Sequence, residues 1–179
     1  MNTGVKTAGG GKGRASDGRR RSAARLAAVQ ALYEMDIAGA AADPILGAFL
    51  QDRWKVNGEN GAAADLAEPD GELLADLVRG VAGRREELDG MIGPALSEKW
   101  TLERLEVVLR AILRAGTYEL LVRGDIPPRV VINEYLEVAH AFFAGAETGL
   151  VNGVLDRLAR TLRPREMEET KGGQTTQEP

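Results

Sequence analysis

The amino-acid sequence predicts an all-α protein, a helical bundle of about six or seven helices. Its composition favours helices, because Ala, Leu, Arg and Glu are frequent while only 4% of the 179 residues are aromatic. Apolar residues recur at spacings of three and four along most of the chain, which is the period of an amphipathic helix. No segment shows the sustained alternation of apolar and polar residues that is typical of a strand.

The length and composition restrict the class of protein. A chain of 179 residues fits one domain, or two small halves that share a core. The absence of cysteine and the single histidine exclude disulfides, thiolate catalysis and a histidine-based metal cluster. No apolar run approaches the roughly 20 residues of a membrane span, and the first 25 residues contain no signal-peptide segment. We therefore expect a cytoplasmic protein without membrane contact.

Charge is distributed unevenly along the chain. Residues 1–25 hold seven Lys or Arg and one Asp, so they carry +6, while the formal net charge of the whole chain is −4. A basic segment on an acidic body indicates an anionic partner, with nucleic acid first and a membrane surface second. Binding to nucleic acid should then be sensitive to salt, because displaced counterions supply much of the affinity.

The chain begins with a glycine-rich basic arm. Residues 1–18 show no apolar periodicity, and we expect them to be disordered. The pair Gly11-Lys12 is not a phosphate-binding loop, because Gly13 stands where such a loop requires Ser or Thr.

A first helix is predicted from about Arg20 to Ile37. Its apolar stripe consists of Leu26, Val29, Tyr33 and Ile37. Four arginines lie on or beside its first turns, and they are Arg19, Arg20, Arg21 and Arg25. The pattern alone leaves two interpretations open, a binding surface and a solvated helix start.

The middle of the chain predicts two further helices separated by a loop. A short helix spans Asp43 to Asp52, with Asp43 as its cap, and residues 53–68 form a loose loop. A long helix follows from near Asp70 to about Leu96. It is expected to kink, or to cross another helix closely, at its glycines, which are Gly80, Gly83 and Gly90.

The C-terminal half predicts three helices. The first is capped by Thr101 and ends at Gly124, before the pair Pro127-Pro128. The second runs from Arg129 to about Ala144 and carries two apolar ridges, so it should be nearly enclosed. The third runs from about Glu147 to Leu162. The helical domain therefore spans residues 19–163, and residues 164–179 form a polar tail that we expect to be disordered.

The sequence contains no group of residues typical of an enzyme. His140 is a lone histidine on the polar side of its predicted helix, and the paired acids resemble solvated surface charge. Neither a nucleophile with its base nor a cluster of metal ligands is present. We expect no catalytic residue, no metal site and no cofactor.

Three separated motifs and the first helix form a series along the chain. The motifs are Leu-Arg-Ala-Gly-Thr-Tyr-Glu-Leu at 113–120, the segment from Pro127 to Val131-Ile132-Asn133-Glu134, and Val-Asn-Gly-Val-Leu at 151–155. In the first helix, Arg25 precedes Ala-Val-Gln-Ala-Leu-Tyr at 28–33. In order and spacing over residues 19–163, the series resembles the NusB family of bacterial transcription antitermination factors, which has a similar arginine-led first helix.

This resemblance implies a fold and a function. The fold is two packed three-helix subdomains. The function is to bind the boxA element of nascent ribosomal RNA leaders, a single-stranded RNA, as a heterodimer with the small-subunit ribosomal protein NusE. The complex helps RNA polymerase to read through terminators as part of its antitermination assembly. Whether the chain also forms a homodimer is left open.

The resemblance also implies a site in two halves. Its first half is the RNA-facing first helix, and its second half is the start of the last helix. The candidate RNA-binding residues are Arg19, Arg20, Arg21, Arg25, Gln30, Tyr33, Arg114, Gly149, Leu150 and Asn152. Tyr33 either stacks on a base or packs in the core, Asn152 either reads a base edge or caps a helix, and Arg114 either faces RNA or pairs with an acid such as Glu119. Asn133 and Glu134 are expected to be structural.

Two departures from the family pattern affect this expectation. Gly149-Leu150 stands where many members have Lys-Phe, so a charge and a stacking ring are absent there. Leu109 stands where an acidic residue is frequent, so the contact with the ribosomal protein is not assigned to it. On this interpretation, changing Arg21 and Arg25 to Ala should weaken RNA binding and leave the thermal midpoint nearly unchanged.

Two other classes of function were compared with this one. Ribosomal RNA cytosine methyltransferases carry a similar N-terminal domain, but they need a catalytic cysteine and a further α/β domain, and this sequence has neither. The remaining alternative is a helical adaptor or homodimer that binds only protein, in which the arginines are solvated.

Overall fold

The computed structural model describes residues 10–53 and 67–169, with side chains for 16–51 and 67–168. Within these ranges the chain forms eight α-helices and no strand. The helices are α1 Gly10–Ala38, α2 Ala42–Ala48, α3 Gly71–Gly83, α4 Arg85–Ala95, α5 Val107–Val122, α6 Pro128–His140, α7 Ala146–Leu162 and α8 Pro164–Glu169. A π-helical turn, Phe49–Arg53, follows α2, and a 3-10 turn, Leu102–Arg104, precedes α5. The predicted all-α fold is confirmed.

Helix α5 is the centre of the bundle. It packs against α1, α3, α4, α6 and α7, and every residue from 111 to 120 is buried. The first three helices contact one another, and α6 and α7 pack together. This is the predicted arrangement of two packed helical subdomains. No helix in the described ranges is both long enough and apolar enough to cross a membrane.

The long helix predicted from Asp70 to Leu96 is two helices. Asp70 caps α3, since its side chain accepts hydrogen bonds from the backbone N–H groups of Glu72 and Leu73, both at 3.1 Å. The chain leaves helical geometry at Arg84, where φ is −122° and ψ is 21°, and α4 begins at the next residue. The predicted interruption therefore occurs directly after Gly83, and the helix continues unbroken through Gly90.

Three predicted boundaries are wrong. Helix α1 begins at Gly10, so residues 10–18 of the predicted disordered arm are helical, because a helix that is already nucleated gains a hydrogen bond with each added residue. Thr101 makes no capping hydrogen bond, and α5 begins only at Val107. The predicted tail contains α8, which is held by Met167, only 1% exposed. Residues 1–9, 54–66 and 170–179, which include most of the predicted loop, lie outside the described ranges.

The buried face of α1 differs from the predicted stripe. Val29 is fully buried, but Tyr33 and Ile37 are 41% and 61% exposed. Besides Val29 and Leu32, the core face is made mainly of alanines, which are Ala24, Ala27, Ala28 and Ala31. Because alanine side chains are short, α1 can lie close to α3 and α5. A search for large apolar residues overlooks such a face.

The glycine in the middle of α3 permits a close helix crossing. A Cβ atom at Gly80 would overlap the ring of Tyr118 on α5. The hydroxyl of Tyr118 donates a hydrogen bond of 2.9 Å to the carboxylate of Asp76, one turn away on α3, which fixes the ring over the glycine. The predicted close crossing therefore occurs at Gly80. It does not occur at Gly90, where a Cβ atom would meet no atom within 4 Å.

Candidate nucleic-acid interface

Three arginines are exposed together on α1. Arg19, Arg20 and Arg21 lie more than two turns inside the helix, so the unfavourable dipole of a helix N-terminus does not act on them. Arg20 Nε donates to the backbone oxygen of Glu68 at 3.4 Å, and Arg21 pairs with Asp17 at 3.4 Å. Both contacts are long and exposed, and such pairs contribute little to stability. Consecutive residues of a helix point about 100° apart, so the three side chains spread around α1. These three exposed arginines are called here the arginine surface.

Arg25 does not belong to the arginine surface, which corrects the sequence-based expectation. Its side chain is 3% exposed and lies between α5 and α6. The Nε and Nη2 groups donate to the carboxylate of Glu119, with Nε to Oε2 at 3.0 Å, and Nη1 donates to Glu134 Oε2 at 2.8 Å. A guanidinium that is buried against two carboxylates is not available to a phosphate.

The acids around Arg25 are themselves held in place. Tyr135 donates its hydroxyl hydrogen to Glu119 Oε2 at 2.9 Å, and Ser22 donates to Glu134 Oε2 at 2.7 Å. Burial lowers the pKa of Arg25, but the hydrogen bond and the charge of Glu119 outweigh it and the pKa is raised. Burial, followed by the charge of Glu119, raises the pKa of Tyr135 well above its usual value. The cluster therefore keeps Arg25 charged and Tyr135 protonated.

Arg114 is also structural, and its predicted contact with RNA is corrected. It is 5% exposed and makes two parallel hydrogen bonds to Asp89, with Nε to Oδ1 at 2.7 Å and Nη2 to Oδ2 at 2.8 Å. A third bond joins Nη1 to Asp36 Oδ2 at 2.9 Å, and Asp36 pairs in turn with Arg85 at 2.8 Å. Of the two alternatives that the sequence left open, the structure shows pairing with acids, and the partners are Asp89 and Asp36 instead of Glu119. These contacts connect α1, α4 and α5.

Arg19 lines a depression of about 310 Å3 between α1 and α6. Its walls include Leu26 and Val138, and two acids of α6, Glu134 and Glu137, lie beside the arginine. The expectation that Glu134 is structural agrees with its bonds to Arg25 and Ser22. The carboxylates of Glu134 and Glu137 would repel an anion inside the depression. We therefore expect an anion to bind at the exposed arginine surface and not inside the depression.

Gln30 and Tyr33 line a different depression, of about 460 Å3. Its apolar part also includes Phe142, which is 40% exposed, Val108 and Phe49. Glu34 and Glu106 line it as well. Phe142 was predicted to be enclosed within a helix, but α6 ends at His140 and leaves it at the surface. We call this region the Tyr33–Phe142 surface.

Gly149 and Leu150 line a third depression, of about 210 Å3, at the start of α7. The other side chains that matter there are Trp100 and Arg157, which sequence reasoning missed. Asn152 is exposed nearby but does not line the depression. Helices α1 and α7 share no extensive contact, so the structure does not bring Gly149 and Leu150 into the depression that Arg19 lines.

Comparison with known proteins finds one family. A sequence model described as the NusB family matches residues 22–160. A transcription antitermination protein NusB of Maricaulis maris is 48% identical over 148 residues, which is 83% of this chain and 91% of that protein. The structure of NusB from T. maritima has a TM-score of 0.60 and 32% identity, covering 84% of this chain and 96% of that one. A chain in the crystal structure of a plectonemic RNA supercoil has a TM-score of 0.64 and 26% identity, covering 80% and 96%.

Proposed function

Because the chain belongs to the NusB family, we propose that it is a transcription antitermination factor that binds boxA-type single-stranded RNA together with the ribosomal protein NusE. It acts in the bacterial cytoplasm as a binding protein of the RNA polymerase antitermination complex, without catalysis. The observation that carries this proposal is the arginine surface, three exposed guanidinium groups on one rigid helix of an acidic protein.

The arginine surface suits an RNA backbone. A guanidinium presents a planar fork of N–H donors that matches phosphate oxygens, and it stays charged at any physiological pH. The net charge of −4 disfavours coating of the whole protein by RNA, so binding should be confined to this surface. The similarity to a chain from a structure that contains RNA agrees with this chemistry.

Arg25 fixes the part of α1 that carries the arginine surface. Its bonds to Glu119 and Glu134 attach α1 to α5 and α6 directly beneath Ser22, the residue after Arg21. We assign Arg25 a positioning role, in which it holds the helix that presents the arginines. The RNA experiment must therefore be made with Arg19, Arg20 and Arg21, while Arg25 stays intact.

Changing Arg19, Arg20 and Arg21 together to Ala is expected to weaken RNA binding and flatten its salt dependence. Each lost phosphate contact lowers the slope of log affinity against log salt by about 0.7 for a single strand, so the slope should fall by up to about 2. The measurement is fluorescence anisotropy of a labelled boxA RNA across a salt series, with and without NusE.

A matched control removes three exposed arginines elsewhere, at Arg79, Arg84 and Arg160. This variant has the same net charge as the first one, so a loss that depends only on net charge would affect both equally. Equal salt slopes for the two variants and the parent would contradict the assignment. Absence of RNA binding by the parent, with NusE present and at low salt, would leave the protein-only adaptor as the better hypothesis.

The Tyr33–Phe142 surface is better suited to the protein partner than to RNA. Exposed aromatic side chains in a depression are typical anchors of protein interfaces. Glu106 also lines this depression, and its carboxylate would repel phosphates but complement basic side chains. We therefore propose that Gln30 and Tyr33, first expected to face RNA, contact NusE instead.

Changing Tyr33 and Phe142 together to Ala is expected to weaken NusE binding tenfold or more, since truncation of an interface anchor commonly costs about 2 kcal/mol or more. Isothermal titration calorimetry with NusE measures the effect. Val130→Ala is the control, because Val130 is 45% exposed on α6 but does not line the depression. A double variant that binds NusE like the parent would refute the assignment, and a changed oligomeric state of the free protein would identify the surface as a homodimer interface.

A further inference from the structure

We propose that the depression at the start of α7 is a subsite for a single RNA base, in which Trp100 stacks on the base and Arg157 contacts its ring or phosphate. The inference rests on the proposed RNA binding and specifies one part of it. Trp100 and Arg157 come from separate segments of the chain and line the same depression of about 210 Å3.

Trp100 presents an indole at the edge of the core. The residue is half-buried and packs against the hydrophobic cluster, so the ring is supported from one side. Its backbone N–H is fixed by a hydrogen bond of 2.9 Å to the carbonyl of Ser97. Among the described residues, no partner accepts a hydrogen bond from the indole N–H. A supported aromatic ring next to open space is the structure on which an unpaired base stacks.

Two glycines contribute bare backbone to the depression, beside the side chains of Leu150 and Val154. Gly149 and Gly153 are one turn apart on α7, and both are exposed. A Cβ atom at either position would meet no atom within 4 Å, so the space above both glycines is open. A flat ligand can therefore approach the helix closely at this place.

Arg157 continues the same side of α7, one turn after Gly153. Its Nη1 donates to the backbone oxygen of Ala95 at 2.7 Å, which ties the side chain to the end of α4. The residue is nevertheless exposed, and this bond uses an N–H group of only one of its three guanidinium nitrogens. A guanidinium held in this way is a planar cation that can stack on a base or bind phosphate.

Charge separates this depression from the two that are lined by Arg19 and by Tyr33. The residues that line it include no carboxylate, whereas Glu134 and Glu137 line the depression at Arg19, and Glu34 and Glu106 line the Tyr33–Phe142 surface. It is also the smallest of the three, with about 210 Å3 against 310 and 460 Å3. An aromatic ring, a cation and no acid in a small space favour a nucleotide over a protein side chain.

The subsite also explains a departure noted in the sequence. Gly149-Leu150 supplies neither the ring nor the charge that is frequent at these positions in the family. In the structure, a ring and a cation lie at the same place but come from Trp100 and Arg157. The binding chemistry is therefore present, although the sequence motif lacks it.

Tryptophan fluorescence tests the proposal directly. The sequence has two tryptophans, so Trp54→Phe leaves Trp100 as the single tryptophan of this chain, and NusE alone titrated with the RNA gives the background emission. Titration of this variant with unlabelled boxA RNA, with NusE present, is expected to quench the emission, because a stacked base quenches indole. The midpoint should equal that of an anisotropy titration with labelled RNA. Binding by anisotropy without any change in Trp100 emission would overturn the subsite and leave the proposed function standing.

Affinity measurements provide the second test. Trp100→Leu is expected to weaken RNA binding about 5- to 150-fold, the range that corresponds to one base–aromatic stack, and Trp100→Phe should lose much less. Leu150→Phe added to Trp100→Leu is expected to recover part of the loss by placing a ring at the family position. Circular dichroism checks that each variant is folded, and if Trp100→Leu is not, Trp100→Phe and the quenching decide.

Arg157→Ala is expected to weaken binding and to lower the salt slope, while Arg160→Ala serves as its control. Arg160 lies on the same helix, is exposed, and pairs with Asp156 at 2.7 Å. Unchanged affinity in Trp100→Leu and Arg157→Ala, with RNA bound normally by the parent, would refute the subsite. No RNA binding by the parent with NusE present would overturn the subsite and the proposed function together.

Discussion

Replacing Glu119 by Ala is expected to lower the free energy of unfolding by about 3 to 5 kcal/mol, the range for breaking a buried ion pair. The variant leaves the guanidinium of Arg25, 3% exposed, without its main partner, and it removes the acceptor of the Tyr135 hydroxyl. For a protein of this size the thermal midpoint should fall by about 6 to 20 °C. Urea titration and thermal unfolding followed by circular dichroism measure both quantities.

Two controls separate the buried charge from the loss of packing. Glu134→Ala should cost less, because the Glu134 side chain is 28% exposed and water can replace it. Arg25→Met combined with Glu119→Met should recover much of the stability lost in Glu119→Ala, since an apolar pair leaves no charge unpaired. A double variant as unstable as Glu119→Ala would show that the loss comes from shape and not from charge.

The bonds of Arg25 to Glu119 and Glu134 change the expected stability of a variant in which Arg21 and Arg25 are replaced. The sequence suggested that both could be changed to Ala with little effect on the thermal midpoint, but Arg25→Ala leaves Glu119 buried at 0% exposure without its cation. A loss of RNA binding in such a variant could then come either from destabilisation of the fold at Arg25 or from the loss of an RNA contact at Arg21. Variants restricted to the arginine surface avoid this.

Changing Gly80 to Ala is expected to destabilise the protein by about 1 to 3 kcal/mol, the usual range for overpacking. The new Cβ would overlap the ring of Tyr118, which cannot turn away without losing its 2.9 Å hydrogen bond to Asp76. The preference of helices for Ala over Gly, about 1 kcal/mol, opposes this loss but is smaller than a clash with a ring held in place. Chemical denaturation with a fitted m-value measures the difference.

Gly90→Ala is the matched control for the crossing. Gly90 is an exposed position inside α4, and a Cβ there would meet no atom within 4 Å. The helix preference then acts alone, so this variant should be stabilised by up to about 1 kcal/mol. If both glycine variants shift stability in the same direction, the close crossing is not what determines the effect at Gly80.

The helices were predictable because their signals are local. The cap at Asp70 and the proline at the start of α6 each act within a few residues of where they stand. The break between α3 and α4 was also marked, by a glycine directly before Arg84. Boundaries failed where the deciding contact is distant, as at Met167, whose burial holds α8.

The candidate site was predictable only in part, because a charge run does not show which way each side chain points. Arg21 and Arg25 are four residues apart and look alike in the sequence, yet one is exposed and the other is 3% exposed. The difference comes from Glu119, which lies 94 residues away from Arg25. Trp100 was missed for the same reason, since its proximity to Gly149 depends on how α7 packs near α4.

The distance of 94 residues between Arg25 and Glu119 also has a consequence for synthesis on the ribosome. Helix α1 leaves the exit tunnel before α5 and α6, with an alanine face and an arginine whose partners have not yet been made. Contacts of high sequence separation form slowly and expose apolar surface until they close. A nascent chain stalled before residue 119 should therefore remain protease-sensitive in α1, and protection should appear only after α5 has emerged.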